Sequence, residues 1–481
     1  MEIGETNRGG HLVWGGCDCV ELAARYGTPL YVMDQDVMVA RMRRYLESGR
    51  AAYAGLNVAY AGKAFVCGSL VQLVNREGLG LDVVSGGELQ LALSAGMPAE
   101  RILFHGNNKS PDELSFGLEA GVGRFVVDNA VEMERLSRLA AVSRSTARVQ
   151  VRVTPGISPH THRAVQTGQV DSKFGFPITG GVALAAVQRA LALPGLKLMG
   201  LHSHIGSQIS DLAPFRAAAR AAARLAWEAW QKTGFLAPEI NLGGGWAADY
   251  VPGAAGVASL EMYLAALVSA FKLAWRRHGT PGVSLGLSDR CGGQPGAATR
   301  RYAWPSLFIE PGRSIVAEAG ITLYTVGATK AVSGHDPYVL VDGGMADNPR
   351  PLLYGSKYHA VLANRILEQP AGMFSLAGKA CESGDVLVRG LALPAPRPGD
   401  VIAVFTTGAY NHAMSSNYNR LPRPAVVFVT GGQARLTVRR ETYDDLLRCD
   451  VVAGSGFSAE NETAAPTPRL HVAAARDPGS G

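Results

Sequence analysis

Eight short apolar runs, most of them separated by segments of helical periodicity, constrain the fold of this chain more than any other feature. The runs predict β-strands at residues 56–64, 79–85, 101–105, 124–128, 148–154, 196–204, 239–242 and 306–310. Apolar residues recur with helical spacing at residues 87–95, 131–141, 182–193, 213–233 and 260–277. Such alternation favours a parallel sheet, and eight strands predict a closed (β/α)8 barrel of the α/β class.

A polar residue or a glycine stands at or near the end of each predicted strand. In chain order these are Lys63, Ser85, His105, Asp128, Arg152, His204, Gly243 to Gly245 and Glu310. The loops that follow the carboxyl ends of barrel strands form a concave mouth, and barrel enzymes carry their chemistry there. Eight such positions in phase therefore predict a functional site at this end of the barrel.

Beyond Arg313 the sequence contains short β runs and no long helices. The runs lie at 321–326, 338–341, 385–388, 401–405, 425–429 and 434–438 and predict a second, all-β domain. The early segment 11–33 is expected to return to that domain and make it discontinuous. We therefore predict a barrel at 34–318, a β domain at 11–33 and 319–454, and a disordered tail at 455–481, where bulky apolar residues are scarce.

Composition narrows the class of protein. Of 481 residues, 47% are hydrophobic and 18% are charged, which is typical of a globular chain. The net charge of +6 comes from scattered basic residues without a basic stripe, so nucleic-acid binding is not expected. Neither a signal peptide nor a membrane-length apolar stretch is present, and six cysteines lack disulfide or CxxC spacing. We expect a soluble, cytoplasmic protein with free thiols and no membrane partner.

Lys63 lies near the end of the first predicted strand, in a run where lysine is uncommon. One interpretation is a cation that reaches solvent from the strand end. The other is an amine in a partly dry cavity, which can lose its proton and form a Schiff base with an aldehyde such as pyridoxal 5′-phosphate (PLP). The second interpretation makes Lys63 a candidate catalytic residue.

Two further strand ends offer groups that would complement a phosphorylated ring. Gly243 to Gly245 follow the seventh strand, where backbone N–H groups could bind phosphate with help from Arg313, although a tight turn explains three glycines equally well. Glu310 ends the eighth strand. A carboxylate there could keep a pyridine nitrogen protonated, or it could be the partner of an arginine in a salt bridge.

His202 and His204 share one face of the sixth strand, but no acidic or cysteine partner stands nearby at metal-ligand spacing, so no metal site is predicted. A ring stacked on an aromatic cofactor, or a hydrogen-bonded core histidine, suits the position better. Cys381 is either a buried small residue or a proton donor, since the adjacent Glu382 would raise the pKa of its thiol.

Loops of the β domain carry Arg350, Tyr354 and Tyr410. An arginine with a tyrosine commonly binds a carboxylate, and a surface ion pair is the alternative. The segment 279–304 has no clear periodicity, and structureless segments of such length are usually functional or disordered.

Together these motifs resemble the fold type III PLP-dependent decarboxylases, most closely the diaminopimelate decarboxylases, from about residue 11 to residue 438. The resemblance depends on the runs YAGKAF (60–65), DVVSGGEL (82–89), SKFG (172–175), HSHIGSQI (202–209), GGG (243–245), EPGR (310–313), DNPRP (347–351), CESGD (381–385) and GAY (408–410). Nine motifs in this order over most of the chain make this resemblance specific.

The resemblance implies a role for each matching residue. Lys63 would bind PLP covalently, His204 would stack on the ring and Glu310 would face the pyridine nitrogen. Ser207, Gly243, Gly244, Gly245, Arg313 and Tyr410 would surround the phosphate. Arg313, Arg350, Tyr354, Glu382 and Tyr410 would bind the distal end of the substrate. Family members are head-to-tail homodimers, so Cys381 and Glu382 would reach the site of the other subunit, where Cys381 would protonate the carbanion.

The implied reaction is decarboxylation of meso-diaminopimelate to L-lysine and carbon dioxide. Three departures from the family pattern keep other substrates open: the long segment 279–304, Gly378-Lys379-Ala380 before Cys381, and Asn411 after Tyr410. The alternatives are ornithine, lysine, arginine, a carboxylated polyamine or a carrier-bound amino acid. Amino-acid racemisation and a non-catalytic binding role are two further classes, disfavoured by the motifs and by retention of Lys63, Glu310 and Cys381.

Overall fold

A computed structural model describes residues 5–158, 167–169, 171–251, 257–277 and 304–451. Eight parallel strands form the first domain, and they span Leu56–Ala61, Gly80–Val83, Ile102–Phe104, Arg124–Val127, Ala147–Thr154, Leu196–His202, Glu239–Asn241 and Ser306–Ile309. The fifth strand pairs with the sixth, and the eighth pairs with the first, which closes the cylinder. The predicted barrel is confirmed.

Helices cover the outside of the barrel. They span Gln35–Ala52, Gly68–Arg76, Gly86–Ser94, Pro111–Ala120, Ala130–Val142, Val182–Ala192, Leu212–Thr233 and Leu260–Arg277. Several begin at side chains that accept backbone N–H groups, such as Ser85 and Asn129, because the first turn of a helix has no internal partners for its donors. Five of the eight match the predicted helices closely.

The sequence did not predict the helices Gln35–Ala52, Gly68–Arg76 and Pro111–Ala120. The first is rich in charged residues, and its buried face is narrow, with Met38 and Met42 among the few apolar side chains that it buries. A helix that depends on tertiary packing for much of its stability gives a weak periodic signal.

The second domain is a β-sheet structure. Its strands span Leu30–Asp34, Gly320–Val332, His335–Val341, Ala360–Leu362, Gly372–Ala377, Val386–Leu393, Val401–Val404, Ala425–Thr430 and Gln433–Val438. Leu30–Asp34 pairs with Gly320–Val332 on one side and with Ala425–Thr430 on the other, so strands from both ends of the chain share this sheet. The exact domain limits remain a prediction, and the predicted tail at 455–481 lies outside the described residues.

The β domain contacts the barrel at the carboxyl ends of its strands. The backbone N–H of Tyr410 donates to the carbonyl of Ala64, 2.7 Å away, and that of Gly408 donates to Ala317 at 3.0 Å. This contact places loops of the β domain over the barrel mouth. Among the described helices, none is both long enough and apolar enough to cross a membrane.

Candidate active site

A cavity of about 500 Å³ lies where the barrel mouth meets the β domain. The barrel contributes Lys63, Arg152, Lys173, His204, Ser207 and Arg313 to its walls, and the β domain contributes Arg350, Tyr354 and Tyr410. Seven of the residues to which the resemblance assigned a role therefore share one cavity. Its volume falls in the range of small-molecule sites, roughly 300–1,000 Å³.

Lys63 occupies a single turn of 3-10 helix, Gly62–Ala64, directly after the first barrel strand. Its amine forms no hydrogen bond within the described chain and faces the cavity. Burial lowers the pKa of Lys63, but the neighbouring Asp82, Tyr410 and Glu310 raise it more, so the net shift is upward. Without a cofactor the amine is therefore a cation, and not the neutral amine that burial alone would give.

Glu310 is buried beside this lysine and accepts three hydrogen bonds. Its Oε1 accepts from His105 Nε2 at 3.0 Å and from Asn241 Nδ2 at 2.7 Å, and its Oε2 accepts from His202 Nε2 at 3.0 Å. Burial would raise the pKa of Glu310, but the two imidazoles lower it well below the usual range. The carboxylate is thus ionised and fixed in position.

The histidines beside Glu310 serve different purposes. Burial lowers the pKa of His202 to about 4, so it donates to Glu310 as a neutral ring. His204 Nδ1 accepts the N–H of Gly244 at 3.2 Å, and burial keeps the pKa of His204 well below its usual value. His204 therefore presents a neutral, flat ring to the cavity.

His105, His202 and Glu310 also form a set of potential metal ligands, with their ligand atoms within 4.8 Å of one another. The sequence showed no acidic partner near His202, because Glu310 is contributed by a strand that is distant in the chain. Each of the two histidines directs Nε2 at a carboxylate oxygen, so this set is already connected by hydrogen bonds.

The opposite part of the cavity holds two guanidinium groups. Arg313 donates from Nε and Nη2 to Ser207 Oγ, at 3.2 and 3.0 Å, and Arg350 Nη2 donates to Ser356 Oγ at 3.1 Å. Both guanidinium groups lie over the ring of Tyr410, at 4.6 and 5.8 Å from its centroid. Within the described residues neither forms an ion pair, and Arg350 Nε is buried without a partner.

The glycine run after the seventh strand is explained first by packing. A Cβ at Gly244 would lie 2.0 Å from the carbonyl oxygen of Glu310, and one at Gly245 would lie 2.2 Å from that of Gly206. The N–H of Gly243 donates to Asn241 Oδ1 at 3.0 Å, and that of Gly244 donates to His204. Of the three N–H groups, therefore, that of Gly245 is the candidate donor to a phosphate.

Comparison with known proteins agrees with this geometry. Residues 39–285 match the family described as pyridoxal-dependent decarboxylase, pyridoxal binding domain. The diaminopimelate decarboxylase of Halalkalibacterium halodurans is 44% identical over 93% of this chain and 96% of its own, and that of Actinosynnema pretiosum is 45% identical over 93% and 94%. The solved diaminopimelate decarboxylase of M. jannaschii with L-lysine is 31% identical, covering 94% and 98%, with a TM-score of 0.80.

The chain belongs to the pyridoxal-dependent decarboxylases. A lysine/ornithine decarboxylase from Vibrio vulnificus, 22% identical with a TM-score of 0.67 over 85% of this chain and 98% of its own, shares the fold. PLP is the cofactor that this family uses, and the residues in the cavity fit it. Lys63 has an amine without a hydrogen-bond partner in the described chain, Glu310 is an ionised carboxylate, and the bare backbone at Gly244 and Gly245 leaves no room for side chains.

Six residues that the decarboxylase resemblance assigned to the site do not line this cavity: Gly243, Gly244, Gly245, Glu310, Cys381 and Glu382. Of these, Gly244 and Glu310 form hydrogen bonds with residues that do line it, His204 and His105. Cys381 and Glu382 are exposed, in a loop where the Cys381 N–H donates to Asn419 Oδ1 at 2.8 Å. This placement excludes them from the site of their own protomer and leaves their role in a partner's site as a prediction. Most of the segment 279–304 lies outside the described residues.

The structure adds residues that the sequence did not assign to the decarboxylase site. Asp82 is fully buried near Lys63, and burial raises its pKa. Arg152 lies over the ring of Phe174, 4.3 Å from the centroid, with its Nε 3.7 Å from Asp128 Oδ1. Tyr250 contacts Arg313 and Arg350. The sequence signal for Asp82 was an acidic residue within the apolar second strand. No local sequence signal marked Tyr250.

Proposed function

We propose that this decarboxylase converts meso-diaminopimelate to L-lysine and carbon dioxide. The observation that carries the proposal is the pair of cavity guanidinium groups, Arg313 and Arg350, which have no carboxylate partner within the described chain. A substrate with a second carboxylate at its distal end would supply that partner. A distal amine, as in ornithine or lysine, would be repelled by the two cations.

PLP, when bound, supplies an aldehyde for an amine and a ring that accepts the electrons released with carbon dioxide. We assign its attachment to Lys63 because the other cavity lysine, Lys173, lies over the ring of Phe174, 5.0 Å from the centroid. Glu310, ionised by its three donors, would stabilise a proton on the ring nitrogen. His204 would stack without adding charge.

The anionic ends of cofactor and substrate need separate partners. Ser207 and the N–H of Gly245 lie on the barrel side and would bind the phosphate together with Arg313. Arg350 and Tyr354 come from the β domain and would bind the distal carboxylate, which Arg313 would also reach. Tyr410, whose ring lies beneath both guanidinium groups, would hold them in place.

We further propose a homodimer with shared active sites, because Cys381 and Glu382 are exposed on their own protomer. Cys381 would donate the proton that replaces carbon dioxide. The enzyme would act in the cytoplasm, where the five described cysteines would remain free thiols.

The dimer proposal is tested by mixing two inactive variants, Lys63→Ala and Cys381→Ala. If sites are shared, half of the reassorted dimers contain one intact site, so about one quarter of wild-type activity returns. Each variant assayed alone is the control. Absence of recovery after verified subunit exchange would place Cys381 outside the partner's site.

The substrate is tested by carbon dioxide release from purified, PLP-loaded protein with meso-diaminopimelate, L-ornithine, L-lysine and L-arginine. We expect release from meso-diaminopimelate with a kcat/KM at least about 100-fold above that of any basic amino acid, which corresponds to the loss of one charge pair in the site. Preferential release from a basic amino acid would overturn the substrate and leave the fold and cofactor in place.

A further inference from the structure

We propose that Tyr250 is a positioning residue, whose hydroxyl holds the guanidinium groups of Arg313 and Arg350 in one orientation and so makes the site selective for substrates with a distal carboxylate. This inference rests on the proposed function, because it concerns how the same two arginines bind the distal end of the substrate.

The contact that carries the inference is a bridge through one oxygen atom. Tyr250 Oη accepts a hydrogen bond from Arg313 Nη1 at 2.5 Å and another from Arg350 Nη1 at 2.8 Å. The two guanidinium carbons also lie over the Tyr250 ring, at 5.7 and 5.2 Å from its centroid. Two cations this close repel each other, and a shared acceptor offsets part of that repulsion.

The three residues of this bridge belong to different parts of the fold. Tyr250 follows the glycine run after the seventh barrel strand, Arg313 follows the eighth, and Arg350 begins a short helix of the β domain. The bridge therefore fixes a β-domain cation relative to a barrel cation. Both guanidinium groups line the cavity, whereas Tyr250 acts on the substrate through them.

Tyr250 is itself held in place from two sides. The Gln208 side chain donates to the carbonyl of Ala248 at 2.7 Å and accepts the Ala248 N–H at 3.3 Å, which fixes the segment that leads to Tyr250. The ring of Tyr358 meets the Tyr250 ring edge-on, with centroids 5.4 Å apart. An anchored hydroxyl can orient two long arginine side chains at a low cost in conformational entropy.

Tyr250→Phe removes the hydroxyl and keeps the ring, so it separates bridging from packing. The matched control is Tyr53→Phe: Tyr53 is a buried tyrosine whose hydroxyl donates to the carbonyl of Pro305 at 2.6 Å, next to the start of the eighth strand and away from the cavity. Both variants are studied as PLP-loaded protein.

The first measurement is binding of the dicarboxylate pimelate and the monocarboxylate hexanoate by isothermal titration calorimetry. We expect wild-type protein to bind pimelate more tightly than hexanoate, and Tyr250→Phe to weaken pimelate binding roughly 10-fold, the loss expected for a hydrogen bond to a charged group. Hexanoate binding in Tyr250→Phe and pimelate binding in Tyr53→Phe should change less than about 2-fold.

The second measurement is decarboxylation of meso-diaminopimelate, for which Tyr250→Phe should raise KM roughly 10-fold and change kcat little. Unchanged KM and unchanged pimelate affinity in Tyr250→Phe, or equal wild-type affinity for pimelate and hexanoate, would overturn the inference. If wild-type protein fails to decarboxylate meso-diaminopimelate while Tyr250→Phe still weakens pimelate binding, the proposed substrate is wrong and the role of Tyr250 stands.

Discussion

Two regions at one cavity differ in whether their buried charges are paired within the described chain. In the first, which we name the Glu310 region, a carboxylate accepts hydrogen bonds from His105, His202 and Asn241. In the second, the two-arginine region, Arg313 and Arg350 share the hydroxyl of Tyr250, and no carboxylate of the described chain pairs with them. The Glu310 carboxylate is therefore paired within the protein. The two guanidinium groups are available to an anionic group of the cofactor or substrate.

The difference has an energetic consequence. A buried charge without a counter-ion destabilises a fold, whereas a buried charge with good hydrogen bonds is costly to disturb. The chain retains both arginines in the cavity, which is expected when their partners belong to cofactor and substrate. The contrast predicts that altering the Glu310 region lowers the free energy of unfolding, whereas removing a cation from the two-arginine region raises it.

Of all the variants, Lys63→Ala should have the largest effect on activity. The variant leaves both regions in place and removes the only group that we assign to cofactor attachment. We expect decarboxylation to fall on the order of 10⁴-fold or more, as for other essential nucleophiles, measured as carbon dioxide release. Lys173→Ala, which alters the other cavity lysine, should retain most activity; the reverse pattern would move the attachment site.

Glu310→Gln tests the Glu310 region. It keeps the shape of the side chain and removes the negative charge that His105 and His202 stabilise. We expect kcat to fall roughly 10²–10³-fold, the usual cost of removing one electrostatic contact to a reacting group. The free energy of unfolding, measured with urea, should also fall. Glu132→Gln is the control, since Glu132 is a buried carboxylate paired with Lys109 outside the cavity.

Arg350→Met tests the two-arginine region, and its effect on stability should be opposite to that of Glu310→Gln. We expect KM for meso-diaminopimelate to rise roughly 100-fold, because a charge pair with substrate is lost. The cofactor-free protein should become more stable by about 1 kcal/mol, because a buried cation without a carboxylate partner in the described chain is removed. Arg389→Met, at an exposed arginine, should change neither quantity. A destabilised Arg350→Met would contradict the view that this cation lacks a carboxylate partner within the described chain.

The smallest expected effect is a pH dependence of the free energy of unfolding that arises from the Glu310 region. The folded pKa of His202 is about 4, below its ordinary value of 6.5. Between these values the unfolded chain binds a proton that the folded chain does not, so the free energy of unfolding falls as pH falls, by about 2 kcal/mol from this residue between pH 7 and pH 5. Urea unfolding from pH 7 to pH 5 should show a shallower slope for His202→Asn and an unchanged slope for Arg350→Met.

Much of the barrel and its site was predictable from sequence because the signals are local. Strand ends such as Lys63 and Glu310 are marked by a polar residue after an apolar run, and a closed barrel brings all such ends to one mouth. The hydrogen bonds of Glu310 were not predictable, since His105, His202 and Asn241 lie at or just after the ends of three other strands. Tyr250 was missed for the same reason, because only the assembled domains bring Arg313 and Arg350 to its hydroxyl.

The account depends on the amine of Lys63 carrying the cofactor between these two regions. The direct test is reduction of the PLP-loaded protein with borohydride, followed by peptide mapping by mass spectrometry. We predict that the pyridoxyl phosphate label lies on Lys63 in the peptide containing residues 60–65. A label on Lys173, or on no cavity lysine, would contradict the central claim.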